Sequence, residues 1–112
     1  MDEETENIYN LNTLHNLSKS RLKAISHNLK AAVLVGKNGL TDSVIEEIKA
    51  HLRKKNIIKV KVFGNFISAL DEAGKTKKSL FTEIAEKTGS ILVHKVGFTV
   101  TLLRKLKSHE NH

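Results

Sequence analysis

The feature that most restricts the fold is a run of five apolar residues, Ala31 to Val35, ended by Gly36-Lys37-Asn38-Gly39. Such a run is too short for a helix, and its unbroken apolarity predicts a central strand covered on both faces. Helical spacing resumes at once. Val44, Ile45, Ile48 and Leu52 form one stripe of a helix from about Thr41 to Lys54, and Ser43 with Glu46 is one possible capping box. Arg53, Lys54 and Lys55 suit the negative end of its dipole, and Asn56 is its expected stop. Strand, tight turn and helix in immediate succession point to an α/β chain.

The turn is also the best candidate site. Two glycines let the backbone bend sharply and approach another molecule with no Cβ in the way. The next helix aims its unpaired amides and positive dipole end at the turn, and Lys37 adds a full charge, a combination suited to phosphate oxygens. An isolated Gly-x-x-Gly is common and usually only a turn. This one has neither the spacing of a Walker A loop nor the three glycines of a dinucleotide fingerprint. Its place between strand and helix, in a basic domain, favours anion binding by Gly36, Lys37, Asn38 and Gly39.

The charge is unevenly distributed. Asp2, Glu3, Glu4 and Glu6 precede any base, whereas Ser18 to Lys107 holds 19 Lys and Arg against seven acids, a net of +12. A compact domain so basic is expected to meet a polyanion; on charge alone RNA, DNA and anionic membrane remain open. With no cysteine in the chain, disulfides and thiolate metal sites are excluded. No apolar run approaches the ~20 residues of a membrane span, and the acidic start lacks a signal peptide's basic region, so a soluble, cytoplasmic protein is expected.

The 112 residues read as one domain from about 13 to 105, between a flexible acidic tail, 1–12, and a polar tail, 106–112. Leu14, Leu17, Leu22, Ile25 and Leu29 are spaced for a helix that starts after Thr13 or is capped again at Ser18. Its outer face carries Lys19, Arg21, Lys23 and Lys30, and the excess of one sign favours a binding surface over a merely solvated one. Ile57 to Phe63 alternates, with Ile58, Val60 and Val62 on one face and Lys59 and Lys61 on the other. Those two lysines suit a wet strand face and a backbone-tracking surface equally. Gly64 to Lys78 is poorly legible. A third helix is expected from about Lys77 to Thr88, with Leu80, Phe81, Ile84 and Ala85 inward and Gly89 beyond its end. Ile91–Val96 and Phe98–Leu103 read as an antiparallel pair around Gly97.

No catalytic constellation is visible. His15, His27, His51 and His94 are far apart in sequence, and His27 suits a partly buried helix position; His109 and His112 lie in the polar tail. The acids show no convergent pair, so neither catalysis nor a cofactor is expected. Phe63, Phe66, Phe81 and Phe98 sit in apolar runs and Tyr9 in a tail, which predicts recognition of backbone and shape rather than base stacking.

Residues 32 to 48, Ala-Val-Leu-Val-Gly-Lys-Asn-Gly-Leu-Thr-Asp-Ser-Val-Ile-Glu-Glu-Ile, closely resemble the core motif of the CRM domain (chloroplast RNA splicing and ribosome maturation). The resemblance continues through Ile57–Val62, Glu83–Gly89, Val96-Gly97 and Arg104, and is strongest to the stand-alone, YhbY-like prokaryotic members. It implies an α-β-α-β-α-β-β fold with a four-stranded mixed sheet, similar to the C-terminal domain of translation initiation factor three. It further implies a monomer binding structured RNA, such as ribosomal precursor RNA during large-subunit assembly, through the Gly-x-x-Gly loop and basic surface, Arg104 included. Another structured RNA (an intron or a tRNA), or a basic protein- or DNA-interaction module, is the alternative. The sequence departs from the family pattern at Ala31, Phe98 and Leu103, where Pro, Arg and Tyr are frequent; the missing arginine puts one contact from the sheet side in question. A KH domain also uses Gly-x-x-Gly, but between two helices and with an apolar residue where Asp42 stands.

Overall fold

The structure, a computed structural model, describes residues 10–36, 38–63, 74 and 76–106. Its elements are α1 (Leu11–His15), α2 (Lys19–Asn28), β1 (Ala31–Val35), α3 (Asp42–Lys55), β2 (Ile57–Val62), α4 (Lys77–Thr88), β3 (Ser90–Val96) and β4 (Thr99–Arg104). The four strands form one sheet in the order β1-β2-β4-β3. β1 and β2 run parallel, whereas β4 is antiparallel to both its neighbours, which makes the expected mixed sheet.

Helices cover the sheet on both sides. On the inner face Ile48 and Leu52 of α3 and Leu80, Phe81, Ile84 and Ala85 of α4 pack on Val33, Val35, Ile58, Val60, Val62, Val100 and Leu102. The alternation in β2 thus resolves as expected, with Ile58, Val60 and Val62 buried. On the outer face α1 and α2 place Leu14 and Leu22, with Leu11, Leu17, Ile25 and Leu29 around them, over Ile57, Leu103 and Val93. His15 Nε2–H donates to the Arg104 carbonyl at 2.7 Å, tying α1 to the end of β4.

Caps account for the boundaries. The Thr41 hydroxyl, not Ser43, caps α3 by accepting from the Val44 amide, because the helix begins two residues earlier than a Ser43 box requires. Asn56, at φ 70°, ends it. Ser18 caps α2, and the first helical region is split in two, with the Asn10 side chain accepting from the Asn12 and Thr13 amides to start α1. α1 therefore begins two residues before the expected domain boundary at 13.

One expectation is overturned. β1 is an edge strand of the sheet and is not covered on both faces: Leu34 is 52% exposed. The outer-face helices sit over Ile57 and Leu103, the far end of the sheet, and leave the Leu34 end open. A run of five apolar residues does not reveal which part of a layer its neighbours cover.

The Asn10 cap and the partly buried Leu11 separate two truncations. Removing residues 1–9 takes away four acids and few apolar residues, so stability should hold. Removal through Asn12 also deletes the cap and the Leu11 packing, and should cost about 1–2 kcal/mol, or roughly 5–10 °C in melting temperature. Thermal unfolding of both forms checks this; equal melting temperatures would mean that α1 contributes nothing.

Candidate nucleic-acid interface

The glycine turn stands where three strand ends gather. β1 enters it at Val35, whose carbonyl accepts from the Phe63 amide just beyond β2, and the Val62 amide donates to the Phe98 carbonyl just before β4. The turn closes by a hydrogen bond from the Gly39 amide to the Gly36 carbonyl at 3.0 Å, and Thr41 N–H then donates to the Gly39 carbonyl. Its glycines are not equivalent. Gly39 is buried with φ at 73°, a left-handed conformation that L side chains adopt at a cost. Gly36 has no such φ, and a Cβ built on it meets nothing within 4 Å. Gly39 is therefore demanded by the turn itself, while Gly36 leaves open space where a ligand can approach. Lys37 lies outside the described residues, and Asn38 is exposed.

The strand pairing sets the turn beside a lysine-bearing sheet face. Leu34, Lys61, Thr99 and Val96 pair in one row across the outer face, and Lys59, Thr101 and His94 in the next. Lys61 is exposed and Lys59 half-buried. Lys19, Arg21 and Lys23 are exposed on α2, and Lys30 is exposed on the connection into β1. The two ion pairs among the described residues, Lys87–Glu83 and Lys49–Glu46, involve none of these bases.

Arg104 is placed elsewhere. It ends β4 at the opposite end of the sheet from the turn, next to Asn56 and Arg53. Its guanidinium donates to the Asn56 side-chain oxygen at 3.3 Å and lies 3.5 Å from the Arg53 carbonyl, satisfying the end of α3. Of the described candidates, Lys59, Lys61 and, near His94, Lys23 lie at the open sheet face, and Gly36, Asn38 and Gly39 form the turn; Lys30 stands beside Lys55 and Ile57 at the start of β1, and Arg104 also lies at that end, away from the turn.

Two readings of side chains change. Phe81 is buried as expected, but Phe63 and Phe98 are 41% and 42% exposed, both at the turn end of the sheet, which no helix among the described residues covers. Each lies beneath a lysine ammonium, Lys61 at 5.9 Å from the Phe63 centroid and Lys77 at 4.9 Å from that of Phe98. Phe66 is outside the described residues. His27, for which a partly buried helix position is one reading of the sequence, is exposed, and its ring meets that of His94 at 5.7 Å. Sequence distance concealed this pair. A bulge in β3 between Leu92 and His94 creates it: Leu92 faces the inner core, and the extra residue, Val93, turns His94 outward instead of inward.

Among the described residues no group of three or more His, Cys, Asp or Glu gathers to hold a metal ion, and no helix is long and apolar enough to cross a membrane.

Comparison with known proteins agrees with this architecture. The family model of the CRS1 / YhbY (CRM) domain matches residues 14–104. A Haemophilus influenzae protein named "RNA-binding protein" is 33% identical over 94 residues, which cover 84% of this chain and 88% of that one. The rice protein "CRS2-associated factor 2, chloroplastic" is 35% identical over 80 residues, 71% of this chain but 12% of the plant protein. The solution structure of SAV1595 from Staphylococcus aureus superposes with a TM-score of 0.59 at 27% identity, over 80% of this chain and 85% of that one.

Proposed function

The chain belongs to the CRS1 / YhbY (CRM) domain family, and on that premise we propose that it is an RNA-binding protein that grips structured RNA, ribosomal precursor RNA in particular, during assembly of the large ribosomal subunit. The observation that carries the site assignment is the position of the glycine turn. It puts the open space at Gly36, the capped start of α3 and the lysine-bearing face of β2 at one end of the sheet. Amides at a helix start and lysines on a strand act on phosphate oxygens without regard to sequence, so affinity comes chiefly from the backbone. Phe63 and Phe98 add two apolar rings at the same end, on which an unpaired base can stack. The reaction is binding, with no bond made or broken.

Crosslinking in cells followed by sequencing of the bound RNA tests the assignment. Crosslinks should concentrate in large-subunit ribosomal precursor RNA, with the protein-side sites at residues 36–39 and on β2. Crosslinks spread over messenger RNA, or sedimentation with ribosomal particles that RNase does not alter, would point to a different partner.

A further inference from the structure

Among the described residues, helices cover only half of the outer face of the sheet, and its open half contains a cavity of about 270 Å³ lined by His27, Lys59, His94, Val96, Thr99 and Thr101. Its charged and titratable neighbours come from three elements: Lys23 and His27 on α2, Lys59 on β2 and His94 on β3. β4 contributes the uncharged Thr99 and Thr101, and among the described residues no carboxylate lines the cavity. Within it His94 Nε2 is buried and has no hydrogen-bond partner. An orphaned buried nitrogen is costly and calls for an explanation. Bases converging without an acid, around an unused hydrogen-bonding nitrogen and two hydroxyls, form the complement of an anion.

We infer that this cavity receives a phosphate of the same RNA strand that the glycine turn grips, so that the strand crosses the outer face of the sheet. The inference rests on the RNA-binding reading above. Neighbouring strands are about 4.8 Å apart, so the path from β1 to β3 is roughly 14 Å, a length of a few nucleotides. Lys61, paired with Leu34 one residue before the end of β1, bridges the turn and the cavity.

The chemistry gives the site a pH signature. Burial holds the His94 imidazole below the usual histidine range, and the nearby His27, Lys23 and Lys59 lower it further. A phosphate in the cavity reverses the local charge and favours the imidazolium, whose Nε2–H then donates to a phosphate oxygen. Binding takes up a proton, so affinity rises as pH falls, and the gain is absent where His94 is neutral in both states.

The experiment measures RNA affinity of the full chain by fluorescence anisotropy at pH 6 and pH 8, for the wild type, His94→Gln, Lys59→Ala and Lys23→Ala. Melting temperatures are taken in parallel. NMR follows the His94 ring protons during titration with the RNA and with inorganic phosphate. The wild type should gain roughly three- to tenfold in affinity from pH 8 to pH 6, and His94→Gln should lose most of that gain. Lys59→Ala should lower the salt slope by about one. Lys23→Ala, an exposed change on α2, keeps the test valid if a variant nearer the sheet folds poorly, and should also weaken binding. If RNA binds and depends on the glycine turn, but the cavity variants and the His94 signals do not respond, the cavity assignment fails and the turn assignment stands. His94 signals that move with inorganic phosphate but not with RNA would overturn the inference in favour of a free-phosphate site. No RNA binding by the wild type would overturn both.

Discussion

Gly36→Asp should fold normally and bind RNA between about fivefold and a hundredfold more weakly, whereas Gly39→Asp should lose stability before binding can be assessed. The difference follows from the backbone. At Gly39 the left-handed φ of 73° costs an L residue about 1–2 kcal/mol, and the position is buried, so a carboxylate there also loses hydration. For a domain of this size that corresponds to a fall of roughly 10 °C or more. At Gly36 nothing lies within 4 Å of an added Cβ, and no such φ is required. The carboxylate then faces approaching phosphates, and repulsion of about 1–3 kcal/mol at partly screened contact distance gives the stated loss. Gly36→Ala isolates the steric part. Thermal melts and RNA titrations of the three variants check the account. Wild-type affinity in Gly36→Asp would mean that the turn is structural only.

Salt should act more strongly than any single substitution. Lys19, Arg21, Lys23, Lys30, Lys37, Lys59 and Lys61 are the bases assigned to the RNA surface, and Arg104 is left out because its guanidinium serves the end of α3. If about five of them contact phosphates, the slope of log affinity against log salt is near −4, and affinity falls a few hundredfold between 50 and 200 mM. Base stacking on Phe63 or Phe98 would survive that change, because it releases no counterions.

The sequence was most legible where periodicity and punctuation agree. The stripe Val44, Ile45, Ile48 and Leu52 with Asn56 behind it, and Leu80 to Ala85 with Gly89 behind it, mark α3 and α4 closely because stripe and stop residue are both local. The alternation in β2 was equally clear. Coverage was not legible. Whether Leu34, Phe63 and Phe98 lie under a helix depends on where α1 and α2 cross the sheet, which no local pattern encodes. The His27–His94 contact was hidden twice, by a separation of 67 positions and by a bulge that reverses the alternation on β3. Arg104 entered the RNA-binding set only through the family resemblance, and nothing in the local sequence shows its contact with α3. Its partner Asn56 is distant in sequence, and only the β2–β4 register brings the two together.

The central claim, that the glycine turn and its lysine grip RNA phosphates, is tested most directly by a salt titration of Lys37→Ala beside the wild type. Lys37 stands between the two glycines of the turn, and its replacement removes charge without altering either glycine. The account predicts an unchanged melting temperature, weaker binding at low salt and a slope reduced by about one unit, the mark of one lost phosphate contact. Unchanged affinity and slope in a folded Lys37→Ala protein would contradict it.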